Sequence, residues 1–452
     1  MKRIIKVLPL VFSTGLLFFA ANSHAQPITQ KEKLQIAAEM EVSMRTELLD
    51  KWYPQNDDSL FGGFLSTFSF DFKSMGPQDK MIVTQARHLW SNAIAATLYP
   101  GTIHYRQSAR QGFRFLQDKM WDKKNGGFFS LVDRQGNLKD SSGKTTYGNA
   151  FGIFAAATWY RVSGDKNSLE LAKNCFAWLE QHCHDSKYKG YFQDLQMDGT
   201  PVKRISSTPF SSSIGYKDQN SSIHLLEAFT ALYEVWPDPL VRRRLGEMLL
   251  LIRDVITTKK GCLTLFLLPD WTPVSFKDSS EAIILQNSYL DHVSFGHDIE
   301  TAYLLLEASH VLGLPHDSIT RIKAKRMVDH ALRNGWDSLK GGFFDEGYYF
   351  NDKPGITIIR NSKNWWSQAE GMNTLLLMAN LFPNDTMHYF EKFKMIWRYI
   401  QTYMIDHQYG DWFEEGLDTR PDRKTALKGH IWKGTYHHLR SLSNCIKRLK
   451  GK

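Results

Sequence analysis

Gly126-Gly127-Phe128 stands ahead of Tyr147-Gly148-Asn149-Ala150-Phe151, and its glycine-aromatic signal recurs along the chain. Gly62-Gly63-Phe64 precedes it, and Gly190-Tyr191-Phe192, a degenerate Gly261-Cys262-Leu263, Gly341-Gly342-Phe343 and Gly410-Asp411-Trp412 follow. Successive copies lie 64, 64, 71, 80 and 69 residues apart. Self-similarity at such a period marks one structural unit repeated, so the chain holds six units of one design.

Between these loops the apolar residues follow helical rather than alternating spacing, as in Leu225, Leu226, Phe229, Leu232 and Tyr233, or Tyr303, Leu304, Leu305 and Ala308. Two helices fit in each unit, which predicts twelve, at 28–51, 80–98, 103–119, 147–163, 166–182, 219–235, 238–256, 297–312, 316–333, 363–381, 386–404 and 431–447. Short connections with turn chemistry separate consecutive units: Ser163-Gly164-Asp165, Trp236-Pro237-Asp238, Leu314-Pro315-His316 and Phe382-Pro383-Asn384. The glycine loops are longer. Short and long connections alternating six times predict an all-α fold, an (α/α)6 double barrel. Its even-numbered helices line the centre, and its long loops wall a cleft at one end.

Met1-Lys2-Arg3-Ile4-Ile5-Lys6, an apolar run from Val7 to Ala20, and Ser23-His24-Ala25 before Gln26 follow the order of a secretory signal. The apolar core is shorter than the roughly twenty residues needed to span a bilayer. Residues 1–25 are therefore expected to be a signal peptide cleaved after Ala25, and 26–452 one barrel domain, periplasmic or secreted. The net charge of +9 includes Lys2, Arg3 and Lys6, and the other basic residues are scattered, so nucleic-acid binding is not expected. Four cysteines, Cys175, Cys183, Cys262 and Cys445, are too few for a disulfide scaffold and none has zinc-ligand spacing.

Polar residues gather where the even helices begin: Arg87 in the second, Tyr147 in the fourth, Asn220 and His224 in the sixth. His297 and Glu300 follow in the eighth, Trp366 and Glu370 in the tenth, Trp432 and His437 in the twelfth. A closed ring points all six starts at one axial cavity. Imidazole, with an unperturbed pKa of about 6.5, both takes and gives protons near neutrality, so three histidines there suit proton transfer. Paired carboxylates suit hydrolysis, and Glu300 and Glu370 keep that reading open. The histidines lie on three helices without an i, i+4 pair, which does not favour a zinc centre. Each residue also has a bland reading: Arg87 as an interhelix ion pair, Tyr147 as a core aromatic, any one histidine as a hydrogen-bonded core residue. Neighbours on a helix point about 100° apart, so His437 and His438 do not both face the cavity, nor do Trp365 and Trp366.

In this order, Tyr147-Gly148-Asn149-Ala150-Phe151, Asn220 with His224-Leu225-Leu226-Glu227-Ala228, Gly296-His297-Asp298-Ile299-Glu300, Trp365-Trp366-Ser367-Gln368-Ala369-Glu370 and Trp432-Lys433-Gly434-Thr435-Tyr436-His437 carry a resemblance. The chain resembles the cellobiose and mannobiose 2-epimerase branch of the N-acylglucosamine 2-epimerase family over nearly all of residues 26–452. The resemblance implies an (α/α)6 barrel that needs no metal or cofactor. It puts the acid/base pair on His297 and His437, with His224 and Arg87 at the reducing-end oxygens. Trp366, Glu300 and Glu370 become sugar-binding residues, and Tyr147, Asn220 and Trp432 further cavity contacts. Three positions depart from the branch pattern: Tyr303 for tryptophan, Ser222 for histidine and Thr435 for proline.

The implied reaction inverts carbon 2 of a reducing-end sugar. His224 assists ring opening, one of His297 and His437 removes the carbon-2 proton, Arg87 steadies the cis-enediolate, and the other histidine returns a proton to the opposite face. The expected partner is an oligosaccharide; no membrane is expected after signal removal, and the chain is expected to be a monomer. Rival readings are N-acylglucosamine epimerisation or aldose–ketose isomerisation, glycoside hydrolysis on the same barrel, and noncatalytic sugar binding.

Overall fold

The computed structural model describes residues 29–203, 216–314 and 316–451. The proposed signal peptide, residues 1–25, lies outside them. Twelve helices form two rings. The outer ring holds α1 (Gln30–Val42), α3 (Ile103–Phe115), α5 (Lys166–His182), α7 (Pro239–Leu251), α9 (Ser318–Asn334) and α11 (Tyr389–Tyr399). The inner ring holds α2 (Ile82–Leu98), α4 (Thr146–Ser163), α6 (Gln219–Val235), α8 (Phe295–Val311), α10 (Trp365–Leu381) and α12 (Tyr436–Leu449). Each inner helix packs on the next, and α12 closes on α2, so the sequence expectation of an (α/α)6 barrel holds.

Composition separates the rings. The inner helix α4 reads Thr-Tyr-Gly-Asn-Ala-Phe-Gly-Ile-Phe-Ala-Ala-Ala-Thr-Trp and is buried through nearly all of that run, because it has neighbours on both sides. The outer helix α3 buries one stripe, Tyr105, Ser108, Ala109, Gly112 and Phe113, with Phe115 at its end, and keeps its arginines toward solvent. Local chemistry sets the boundaries. Gly164 takes the left-handed conformation after α4 (φ 73°), and Asp165 caps α5 by accepting from the Asn167 amide. Asp238 with Pro239 opens α7 in the same way. Four outer helices end in one widened turn, seen in the bonds Trp121 N to Leu116 O and Ile405 N to Ile400 O, which swings the chain into the glycine loop.

The glycine loops carry a device that the sequence reading did not pick out. In each of five units a buried lysine donates to the aspartate that starts the loop. The pairs are Lys80 with Asp58 (2.9 Å), Lys144 with Asp122 (2.7 Å), Lys217 with Asp185 (2.8 Å), Lys363 with Asp337 (2.8 Å) and Lys428 with Asp406 (2.7 Å). Four of these lysines also donate to a carbonyl inside the loop, such as Gly62 O and Gly126 O at 2.6 Å. The fourth unit has Thr258 in the aspartate's place. Its loop closes one residue sooner, through Gly261 N to Thr258 O, which is why Gly261-Cys262-Leu263 looked degenerate. Gly126 and Gly127 have φ of 73° and 71°, and a Cβ on either would meet the Trp178 ring, so only glycine fits both the turn and the packing.

Each lysine from the first three pairs begins a two-residue strand leading into an inner helix. β1 (Lys80–Met81), β3 (Lys144–Thr145) and β5 (Lys217–Asp218) pair with β2 (Leu131–Val132), β4 (Asp194–Leu195) and β6 (Phe266–Leu267) of the next unit, all antiparallel. β7 (Val293–Ser294) leads into α8 and pairs with β8 (Glu346–Tyr348), which pairs with β9 (Thr357–Arg360). These ladders tie neighbouring units together at the ends where the inner helices start.

Two expectations are corrected. A helix at Glu281–Asp291 occupies a stretch read as loop. The twelfth barrel helix begins at Tyr436 rather than 431, so Trp432 sits in the loop before it, 47% exposed. Among the described residues no helix is long and apolar enough to cross a membrane.

Candidate active site

The inner helices run from the long-loop end of the barrel toward its other end, so their first turns meet in one cavity. It encloses about 180 Å³ and is lined by Arg87, Tyr147, Asn220, His224, His297, Glu300, Trp365, Trp366, Trp432 and His437. Nine of these ten are the residues named from the sequence; Trp365 is the addition, and it corrects the expectation that only one of Trp365 and Trp366 faces the cavity, since both line it. Glu370, read as a sugar contact, lies elsewhere: it is fully buried beneath the cavity and reaches it only through His437.

All three histidines use Nδ1 for a protein partner and leave Nε2 uncommitted. His437 Nδ1 donates to Glu370 Oε1 at 2.8 Å and His224 Nδ1 to Glu227 Oε2 at 3.0 Å, while His297 Nδ1 shares a hydrogen bond with Ser294 Oγ at 2.7 Å. A carboxylate only accepts, so His437 and His224 carry their neutral proton on Nδ1 and present a lone pair at Nε2. His297 and His437 both lie against the Trp366 ring, with centroids 4.6 and 5.9 Å from it. Two bases are thereby placed about one aromatic surface.

Burial keeps both imidazoles neutral. His297 is pushed down to about 3 by desolvation, helped by repulsion from His224 and His292. His437 is driven well below its ordinary value, first by desolvation and then by Arg87. Arg87 reaches over the Phe151 ring, its Cζ 4.5 Å from the centroid, and donates from Nη2 to Tyr147 OH at 3.0 Å. One cation and the Tyr147 hydroxyl thus face the cavity, poised for a developing oxyanion.

Beneath the floor Arg440, 3% exposed, gathers three carboxylates. Nη1 donates to Glu227, and Nη2 donates to Glu300 and, at 2.6 Å, to Glu370. Burial raises the Glu227 carboxyl, but Arg440 and His224 outweigh it and hold the group at about 2. Glu370 is raised by burial, and its Oε2 has no partner. Ligand atoms of Glu300, Glu370 and His437 lie within 4.8 Å of one another, the spacing of a metal group. The guanidinium already places a cation against both glutamates. The same bonds engage Glu300 and Glu370 together, so they are not a pair of free carboxylates flanking a glycosidic bond.

Two further cavities frame the site. One of about 210 Å³ adjoins it, sharing Tyr147, Asn220 and Trp432 and adding Thr145, Gln193, Asp218 and Ser221. The other, about 240 Å³, opens at the far end of the inner helices behind Arg440 and Glu227. It is larger, yet it contains no histidine, and the Arg161–Glu234 ion pair at 2.7 Å is part of its lining. The sequence reading missed Glu227, Ser294 and Arg440. Their signal was spacing, since each stands three residues from a cavity histidine, one helical turn away.

The profile of the N-acylglucosamine 2-epimerase (GlcNAc 2-epimerase) family matches residues 62–441. A cellobiose 2-epimerase from Bacteroides fragilis is 28% identical over 423 residues, covering 91% of this chain and 98% of its own. A D-mannose isomerase from Marinomonas mediterranea is 23% identical over 394 residues, covering 86% and 92%. The solved structure of cellobiose 2-epimerase from Spirochaeta thermophila superposes with a TM-score of 0.80 at 26% identity, covering 94% of this chain and 99% of that one. With the match running from the first glycine loop into the last inner helix, the chain belongs to the N-acylglucosamine 2-epimerase family.

Proposed function

We propose that this protein is an isomerase that inverts carbon 2 of the reducing-end sugar of a β-linked disaccharide of the cellobiose or mannobiose type. The observation that carries the reading is the trio of histidines with uncommitted Nε2 atoms in one cavity, joined by Arg87. The carbon-2 hydrogen is acidic only when carbon 1 is an aldehyde. Ring opening, assisted by His224, therefore comes first. One of His297 and His437 then takes the proton to give a cis-enediolate, held by Arg87 and Tyr147 OH in a site with little water. The other returns a proton to the opposite face. The adjoining cavity gives a second ring room beyond Tyr147, Asn220 and Trp432, and Trp366 offers an apolar face for stacking.

The D-mannose isomerase relative supports a second reading, in which the enediolate is protonated at carbon 1. Incubation with cellobiose, mannobiose and mannose in deuterated water, followed by NMR, separates the two. Deuterium at carbon 2 of an intact, inverted disaccharide is expected. Deuterium at carbon 1 of a ketose would favour the isomerase, and new reducing ends would overturn both. Residues 1–25 are proposed to direct export to the periplasm, with Gln26 as the mature N-terminus. N-terminal sequencing of protein recovered from the native host checks it.

A further inference from the structure

Ser294 ends β7 and stands at the N-cap of α8, the junction that brings His297 into the cavity. Serine is among the best N-cap residues, its hydroxyl accepting from an amide of the first turn. At the same junction of two other units the side chain does so: Thr145 Oγ1 accepts from the Gly148 amide at 3.0 Å, and Asp218 Oδ2 from the Ser221 amide at 3.0 Å. Ser294 makes no such bond. Its hydroxyl lies 2.7 Å from His297 Nδ1 instead, leaving the first turn of α8 without a side-chain cap. A capping group has been diverted to a histidine.

Resting on the epimerase reading above, we propose that Ser294 is a positioning residue that lets His297 alternate between its two neutral tautomers, while His437 and His224 are each confined to one. A hydroxyl both accepts and donates. When the proton is on Nδ1, Ser294 accepts it and His297 Nε2 presents a lone pair. When the proton is on Nε2, Ser294 donates to Nδ1 and the ring presents an N–H. The bond to Ser294 survives the exchange, so the ring keeps its place beside Trp366. Glu370 and Glu227 have no proton to donate while ionised, and the rings they hold present only the lone pair when neutral. The two faces of carbon 2 are thus served by unlike groups: a carboxylate-tethered base in His437, and in His297 a ring that also donates a hydrogen bond to an oxygen of the open-chain sugar.

The test is nitrogen NMR on protein labelled with 15N-histidine, with the His297 and His437 signals assigned from single replacements. At pH 7 the His297 nitrogens are expected at shifts averaged between the tautomers and the His437 nitrogens at those of the Nδ1–H form alone. Ser294→Asp should collapse His297 onto the Nδ1–H form. A His297 already wholly Nδ1–H in the wild-type protein would overturn the proposal, whatever reaction the protein performs. On the substrate the wild type turns over, Ser294→Ala should lower kcat about tenfold with KM little changed, and Ser294→Thr should restore it. A capping role alone would lower thermal stability in Ser294→Ala and leave both kcat and the tautomer signals unchanged. If no sugar is turned over, the epimerase reading fails while the NMR outcome still decides Ser294.

Discussion

Arg440 holds three buried glutamates, and each of those glutamates has a second task. Glu227 and Glu370 orient His224 and His437, and Glu300 lines the cavity. Removing a cation from such a cluster leaves buried charges uncompensated, at a cost of about 3–5 kcal/mol. Arg440→Met is therefore expected to lower the melting temperature strongly and to abolish turnover. Glu370→Gln is the gentler probe, since the amide oxygen still accepts from Nδ1 but no longer favours the imidazolium that forms at His437. A loss of roughly tenfold or more in kcat, with the protein still folded by circular dichroism, is expected. Undiminished kcat would remove His437 from the proton-transfer pair. His297 makes a second residue-scale prediction. Its ordinary midpoint of about 6.5 is pushed down to about 3, so in the free protein it is neutral, and able to act as a base, at pH 5. Titration of its ring signals by NMR checks this, and a midpoint near 6.5 would contradict it. The histidines, Arg87 and the tryptophans were legible in sequence because they open predicted helices. Arg440 was not, because a basic residue inside a helix reads as solvated surface until a closed ring buries it.

The glycine loop, not the helix, is the element that decides whether the site exists, because it sets where each inner helix starts. Its aspartate–lysine pair has no exposed side in the first unit, Lys80 and Asp58 being 0% accessible, and little in the second. Asp122→Ala would strand the Lys144 ammonium among its carbonyl partners and is expected to destabilise by about 3–5 kcal/mol. Replacing both partners by apolar residues of similar size, as in Asp122→Leu with Lys144→Met, should recover much of that loss. The fourth unit, with Thr258 and no lysine partner, demonstrates that the loop closes without the pair. Thermal unfolding of the two variants decides the matter. A double variant as unstable as the single one would show that the charges themselves are required. The twelve helices were readable to within a few residues, since their apolar period and turn chemistry are local. The loop pairs were not, because lysine and aspartate stand 22 residues apart in three units but 32 and 26 in the others. The helix Glu281–Asp291 escaped for the opposite reason: it buries only Ile284 and Leu290, too little for an apolar period to register.

At the scale of the molecule, the ring concentrates ionisable groups whose protonation opposes one another as the medium is acidified. His88 and His297 are held to about 3 and His330 to about 4 by burial, so between pH 6.5 and 4 the unfolded chain takes protons that the folded one refuses, and stability declines. Burial raises Asp57, Asp218 and Asp345 to about 6, so over nearly the same interval the folded chain takes protons first and stability grows. These groups largely cancel. Below pH 4 the depressed carboxylates meet no comparable opposition. Asp58 and Glu227 are held near 2, and Asp122, Asp185, Asp337 and Asp411 are lowered as well; burial alone would raise them all, but the cations and amides around them prevail. A carboxylate whose pKa is depressed by folding stabilises above its unfolded value of about 4, and that contribution vanishes as pH falls toward 2. The melting temperature is therefore expected to change little between pH 7 and about 4.5 and to drop steeply between 4 and 2, as Asp58, Asp122, Asp185, Asp337, Asp411 and Glu227 lose their charge. Calorimetry across that range is the measurement. A steep decline that begins at pH 6 would mean that the buried histidines, not the ion pairs, set the acid limit of the barrel.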